Sequence, residues 1–174
     1  MFSVETWDAI RARRNVRAYK DESIPSHDLD RILEAAWRTP SSMNEQPWDF
    51  VLCTERETLR QLAETWRYAG HVAGSAATVA LVAPTPVDED SRDWIFYDMG
   101  QATMSMMLAA ADLGIGSSHA ALEDQPLARQ ILGFPEDRFC VGLVAFGYPA
   151  DRSLSPIVHP DRRSMDDVIH RERW

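Results

Sequence analysis

Two cysteines in 174 residues are too few for a disulfide framework. Cys53 and Cys140 each sit in an apolar, strand-like run, D-F-V-L-C and R-F-C-V-G-L-V, where a free buried thiol is the expectation. Neither neighbourhood supplies partners for a metal site or a nucleophilic thiol. Long apolar runs are missing as well. Stretches such as Ala76–Pro84 fall far short of the ~20 residues that a spanning helix requires, so no membrane partner is expected. Positive charge is in deficit, with 18 Lys+Arg against 27 Asp+Glu and a net charge of −9. Such a chain lacks the broad basic surface that nucleic-acid binding needs. Met1–Ile10 shows no charged leader followed by an apolar run, which predicts no secretory signal and, with the unpaired thiols, a cytoplasmic location.

The common catalytic signatures are also absent. There is no G-x-G-x-x-G after a strand, no G-x-x-x-x-G-K-[ST], no H-E-x-x-H and no G-x-S-x-G. His27, His71, His119, His159 and His170 are scattered rather than spaced as metal ligands. No residue stands out as acid, base or nucleophile. A chain of this kind that is an enzyme takes its chemistry from a cofactor.

Against that background, four arginines crowd into seven residues: Arg11, Arg13, Arg14 and Arg17, in R-A-R-R-N-V-R. Guanidinium groups stay charged and offer planar, bidentate donors suited to phosphate. On an acidic chain the cluster reads as a socket for one small anion. The length and the 45% apolar content suit a single domain, residues 1–174. Helical spacing predicts a first helix from a Ser3 cap to about Arg13, a second from Pro25–Ser26 to before Pro40, and a third from a Thr54–Glu57 capping box to about Arg67. A fourth, about Arg92–Leu113, is apolar almost all round and is expected in a core or at a subunit contact. A short fifth helix is expected near Pro126–Leu132 and a brief turn of helix near Met165–His170. Strands are expected at Trp48–Cys53, Ala77–Ala83 and Arg138–Gly147, with Gly70–Ser75 loose and Thr85–Ser91 a surface loop. Strands interleaved with helices suggest a sheet covered on both faces.

Four segments stand together: Arg13-Arg14-Asn15-Val16-Arg17; the loop Pro40-Ser41-Ser42-Met43-Asn44-Glu45-Gln46-Pro47-Trp48; the helix end Leu108–Ser118 with Gly114 and Gly116; and Gly147-Tyr148-Pro149 followed by Arg162-Arg163. In this order and spacing they resemble the nitroreductase family of FMN-dependent oxidoreductases, over nearly the whole chain. The resemblance implies an α+β, three-layer sandwich whose mainly antiparallel central sheet is flanked by helices, in an intertwined homodimer. It implies FMN as cofactor, NADH or NADPH as reductant, and a small-molecule electron acceptor such as a nitroaromatic or quinone, reduced in a ping-pong cycle.

By position, the resemblance gives Arg13, Arg14 and Arg163 to the FMN phosphate, and Asn15 to the same motif. Arg17 falls at the pyrimidine edge of the ring. Pro40, Ser41, Ser42 and Asn44 fall to the ring and ribityl chain of the other subunit's cofactor. Backbone at Ala120, Ala121 and Leu122 falls beneath the flavin N5, the hydride acceptor, and His71 falls near a flavin carbonyl. Two departures are visible. Asn15 stands where the family often has a small hydroxyl residue, and Ser105 where it often has asparagine. The same residues also admit an oxidase, a dehalogenase or a flavin-cleaving enzyme of this fold, a flavin binder without turnover, and a patch that docks an acidic protein.

Overall fold

The computed structural model describes residues 5–174. Nine main elements follow in order: α1 (Thr6–Ala12), α2 (Ser26–Trp37), β1 (Asp49–Cys53), α3 (Arg56–Ala63), β2 (Ala77–Pro84), α4 (Glu89–Asp112), β3 (Gly116–Ala120), α5 (Gln125–Leu132) and β4 (Arg138–Gly147). Short 3-10 turns occur at Ser42–Asn44, Gly70–Gly74 and Met165–Asp167.

The four strands form one antiparallel sheet in the order β1-β2-β4-β3. Strand β2 sits inside it, and every residue from Ala77 to Ala83 is buried. Alternate side chains go to opposite layers, as strand geometry requires. Val79 and Leu81 join Val144 and Phe146 against α2 and α4, while Ala80 and Val82 join Leu143 and Ala145 against α3 and α5. The result is the expected α+β three-layer arrangement. A bulge interrupts the β2–β4 ladder: Leu81 faces Gly142 and Val82 faces Cys140, leaving Val141 without a partner.

Helix α4 starts three residues earlier than expected. Asp88 accepts from Ser91 N at 2.8 Å and its own N–H donates to Ser91 Oγ at 3.1 Å, a capping box in D-x-x-S form. The helix ends as expected at Gly114, whose φ of +73° suits glycine; Ile115 N donates to Ala110 O and Gly114 N to Ala111 O. The expected Thr54–Glu57 box does not form. Strand β1 keeps the chain extended through Cys53, so α3 opens only at Arg56, without a side-chain cap. It stops at Ala63 rather than Arg67, because Thr65 turns back with its hydroxyl on Leu62 O at 2.7 Å. Helix α1 begins at Thr6; the Ser3 cap lies outside the described residues.

Strand β3 was expected only as a glycine turn. Its G-S-S-H-A carries no large apolar residue, and it is a strand because β4 pairs with it along its length. Its other edge is met by the arginine segment. Asn15 bridges Ser117 in parallel, and Val16 N donates to Ser117 O at 2.9 Å. Gly116 makes this approach possible, since a Cβ there would lie 2.8–2.9 Å from three carbons of Val16.

Candidate functional site

The end of β3 is the meeting point of two cavities. The first, about 450 Å³, takes Arg13 and Asn15 from the segment after α1, His119 to Ala121 from the end of β3, and Val141 and Gly142 from the bulge in β4. Its far wall is α4, through Phe96, Met99, Gly100, Thr103, Met104 and Met107. The second, about 520 Å³, is walled by Arg17, Trp66, Tyr68 and His71. His119 and Ala121 line both, so the two adjoin as lobes of one depression, the first mainly apolar with Arg13 in its wall and the second cationic and aromatic.

The backbone explains the convergence. Residues 15–20 run from the edge of β3 to the end of β4, where Lys20 N donates to Tyr148 O and Ala150 N to Ala18 O. Residues alternate along such a segment, so Arg13, Asn15 and Arg17 face the depression while Val16 is buried behind them. Beyond β3 the chain is retied by Glu123 N and Asp124 N, both donating to Thr65 O, which holds Ala121 at the shared wall.

Charge at the site is unbalanced. Among the described residues, neither Arg13 nor Arg17 forms an ion pair with a carboxylate, although the chain is acidic. The Arg13 head makes one long contact, 3.5 Å, to Asn15 Oδ1. His71 shares this field. Burial, then the nearby Arg17 charge, holds its imidazole below the usual histidine value; the Tyr68 backbone opposes them, His119 adds to them, and the Ser118 backbone opposes. Its Nε2 is sealed from solvent without a hydrogen-bond partner.

The remaining expected residues lie elsewhere in the chain. Arg14 turns away from the depression to the tail, donating to Ser153 O at 2.8 Å and Arg152 O at 3.4 Å, and so fastens residues 152–153 to the end of α1. Arg163 lies in the exposed tail and donates to Asp167 O at 2.8 Å. Leu122 packs on the α3/α5 layer. Ser105 bridges helices, accepting from Thr39 Oγ1 at 2.9 Å and donating to Gln101 O at 3.0 Å.

The Pro40–Trp48 loop is firmly held, but at a different place. Buried Asp98 of α4 accepts from Ser42 N at 3.0 Å and from Ser42 Oγ at 3.3 Å, and Ser41 Oγ accepts from Gln46 N at 2.9 Å. Met43, Asn44 and Gln46 all take positive φ, and Pro40 and Asn44 are exposed. The loop borders another cavity, about 770 Å³, with Trp94 and Asp98, rather than the arginine depression. Within one chain, therefore, the loop and the arginines do not share a cavity.

The sequence reading missed the α4 wall, Trp66 and Tyr68. Of the α4 methionines, Met99, Met106 and Met107 are buried, but Met104 is 44% exposed at the cavity. The all-round apolar character of α4 was the available signal.

The Nitroreductase family model matches residues 10–67 and 59–148. The chain belongs to the nitroreductase family. It is 34% identical over 169 residues to an Archaeoglobus fulgidus protein provisionally named NADH dehydrogenase/NAD(P)H nitroreductase, covering 95% of this chain and 96% of that one. It is 26% identical over 192 residues to the Bacillus subtilis FMN reductase [NAD(P)H], covering 98% and 74%. A solved structure from Clostridium acetobutylicum, provisionally named an NADH oxidase, superposes with a TM-score of 0.83 at 25% identity, covering 96% and 100%. No described helix is long and apolar enough to cross a membrane.

Proposed function

We propose that this nitroreductase-family chain is a homodimeric, FMN-dependent oxidoreductase, reduced by NADH or NADPH and reoxidised by a small electron-poor molecule such as a nitroaromatic or quinone. The observation that carries the reading is the pair of unneutralised arginines, Arg13 and Arg17, on the two lobes that meet at Ala121. The residues fit the cofactor. FMN joins a phosphate to a flat, largely apolar ring, and the depression joins cationic donors to an apolar wall. The names of the Archaeoglobus and Bacillus relatives point the same way.

In this reading Arg13 holds the phosphate, joined by Arg163 from the tail, while Arg14 secures the tail through Ser153. Asn15 supplies a hydrogen-bonding side chain beside the ribityl region. Arg17 and His71 would face the pyrimidine edge, where a fixed positive charge would stabilise negative charge on the ring. Backbone at Ala120 and Ala121, which line the depression, would face the reactive edge, with Leu122 following them and packed on the α3/α5 layer. When bound, FMN supplies hydride acceptance and donation; the protein orients the partners and sets the field. Reductant and acceptor use one cavity in turn, which gives a ping-pong cycle.

A second copy completes the site. Pro40, Ser41, Ser42 and Asn44 would wall the cofactor of the opposite subunit, since they border no part of their own chain's depression. Trp37, Trp94 and Tyr97 are 63, 58 and 62% exposed, and all tail residues from Asp151 to Trp174 except Leu154 are exposed. The exposed aromatic surface suits a permanent interface.

The test is spectroscopic. Freshly purified protein should absorb near ~450 nm, bleach on titration with NADH or NADPH, and recover its colour with a nitroaromatic or quinone. It should sediment at twice the chain mass. Colour without bleaching would leave only a flavin binder. A colourless monomer that FMN does not stabilise against heat would end the proposal.

A further inference from the structure

We infer that His71 is a redox-linked proton site, binding a proton when the cofactor beside Arg17 gains two electrons and a negative charge. The inference rests on the FMN reading above and adds to it a role for one side chain.

Geometry puts His71 in a special position. Its ring shares the second lobe with Arg17, His119, Trp66 and Tyr68, and its Nε2 is sealed from solvent with no partner. One ring nitrogen is thus free to accept a proton without breaking a hydrogen bond. The charged groups that act on it, Arg17 and His119, both repel a proton, and no carboxylate among the described residues opposes them. The backbone at Tyr68 and Ser118 favours the protonated ring. Two further charged groups lie against walls of this lobe: Glu123 accepts from Trp66 Nε1 at 2.9 Å, and the Arg67 guanidinium sits over the Tyr68 ring at 4.5 Å; Arg56, near the same turn, donates to Ala73 O and Ser75 O.

In the oxidised protein, burial and then Arg17 disfavour the protonated imidazole. A negative charge added to the same lobe reverses the local balance, because it offsets Arg17 and attracts the imidazolium. The accounting is explicit. Oxidised FMN takes two electrons and one proton, forming one new N–H bond and leaving one negative charge on the ring. A second proton forms an N–H bond on His71. NADH or NADPH supplies the hydride in turnover, and dithionite supplies electrons in the test.

The readout is the pH dependence of the midpoint potential. For a two-electron couple each proton taken up shifts the potential by about 30 mV per pH unit, because a tenfold change in an equilibrium is worth 29.6 mV. Dithionite titration of wild-type holoprotein from about pH 6 to pH 8 should give a slope near −60 mV per pH unit around neutrality. His71→Gln, with FMN still bound, should give about −30. Nitrogen-detected NMR of wild type at pH 7 should show His71 neutral when oxidised and protonated when reduced. A slope near −30 in wild type, or near −60 in both proteins, would overturn the inference while leaving the FMN reading intact. In the second case the extra proton sits on the ring. Protein that binds no FMN would overturn both.

Discussion

Gly116→Ala offers a sharp check on how the arginine segment is placed. The added methyl would meet Val16 Cβ, Cγ1 and Cγ2 at 2.8–2.9 Å, well inside the ~3.5–4.0 Å of a favourable carbon contact. Val16 is 5% exposed and its N–H is bonded to Ser117 O, so it cannot simply swing into solvent. Overpacking of this kind costs about 1–3 kcal/mol, and a chain of this size loses about 2–4 °C in Tm per kcal/mol. FMN-free protein should therefore melt about 2–12 °C lower. The second effect falls on the site. Displacing Val16 moves Arg17 on one side and Asn15 on the other, and losing one charge-assisted hydrogen bond, about 1.5–3 kcal/mol, would weaken FMN binding roughly 10- to 150-fold. A second substitution grades the response. Val16→Ala leaves one clashing carbon and should rescue Gly116→Ala in part; Val16→Gly removes all three and should rescue it further. Thermal melts and FMN titrations of the single and double variants form two mutant cycles, with a coupling of about 1 kcal/mol or more expected in each. Additive effects, or a Gly116→Ala protein with wild-type Tm and FMN affinity, would refute the steric argument.

Three further outcomes are expected. Asp98→Ala removes the acceptor of Ser42 N and Ser42 Oγ inside the protein, so Tm should fall by the equivalent of about 1–3 kcal/mol, with faster proteolysis at the Pro40–Trp48 loop; an unchanged cleavage rate would show that Asp98 does not anchor it. Arg17→Ala should retain fold and Tm without ligand but lose bound FMN and slow its reduction, measured by absorbance and stopped flow; wild-type content and rate would remove Arg17 from the site. Burial pushes the thiols of Cys53 and Cys140 up to about 11 and about 12. The unfolded chain releases those protons near the ordinary thiol value of about 8.5, so the folded state holds more protons above it and stability falls as pH rises from about 9. Cys53→Ala with Cys140→Ala should flatten that decline in urea melts, and in wild type a thiol reagent at pH 8 should label only as fast as the protein unfolds.

The elements that the sequence announced are those whose signals are local. Strand β2 reads as an apolar run because both its faces are covered, and α4 as a long apolar helix whose end needs a left-handed glycine. The missed features depend on neighbours. G-S-S-H-A has no strand pattern and becomes β3 only through β4 and Asn15. Thr54–Glu57 has the letters of a capping box, but β1 holds Thr54 extended and the working box is Asp88–Ser91. Arg13 and Arg14 are adjacent letters with equal charge, yet one faces the depression and the other fastens the tail.

The sequence alone determined the class of layers, the buried strands, the anion-seeking chemistry of the arginines and the family likeness, because hydrophobic period, charge and motif spacing are properties of the chain itself. Tertiary structure decided which arginines converge, how His71 comes to sit beside Arg17, and that the Pro40–Trp48 loop lies apart from its own chain's depression. Those are contacts between segments far apart in sequence. A cationic socket needs the direction of each side chain, and that direction is set by the strand lying next to it.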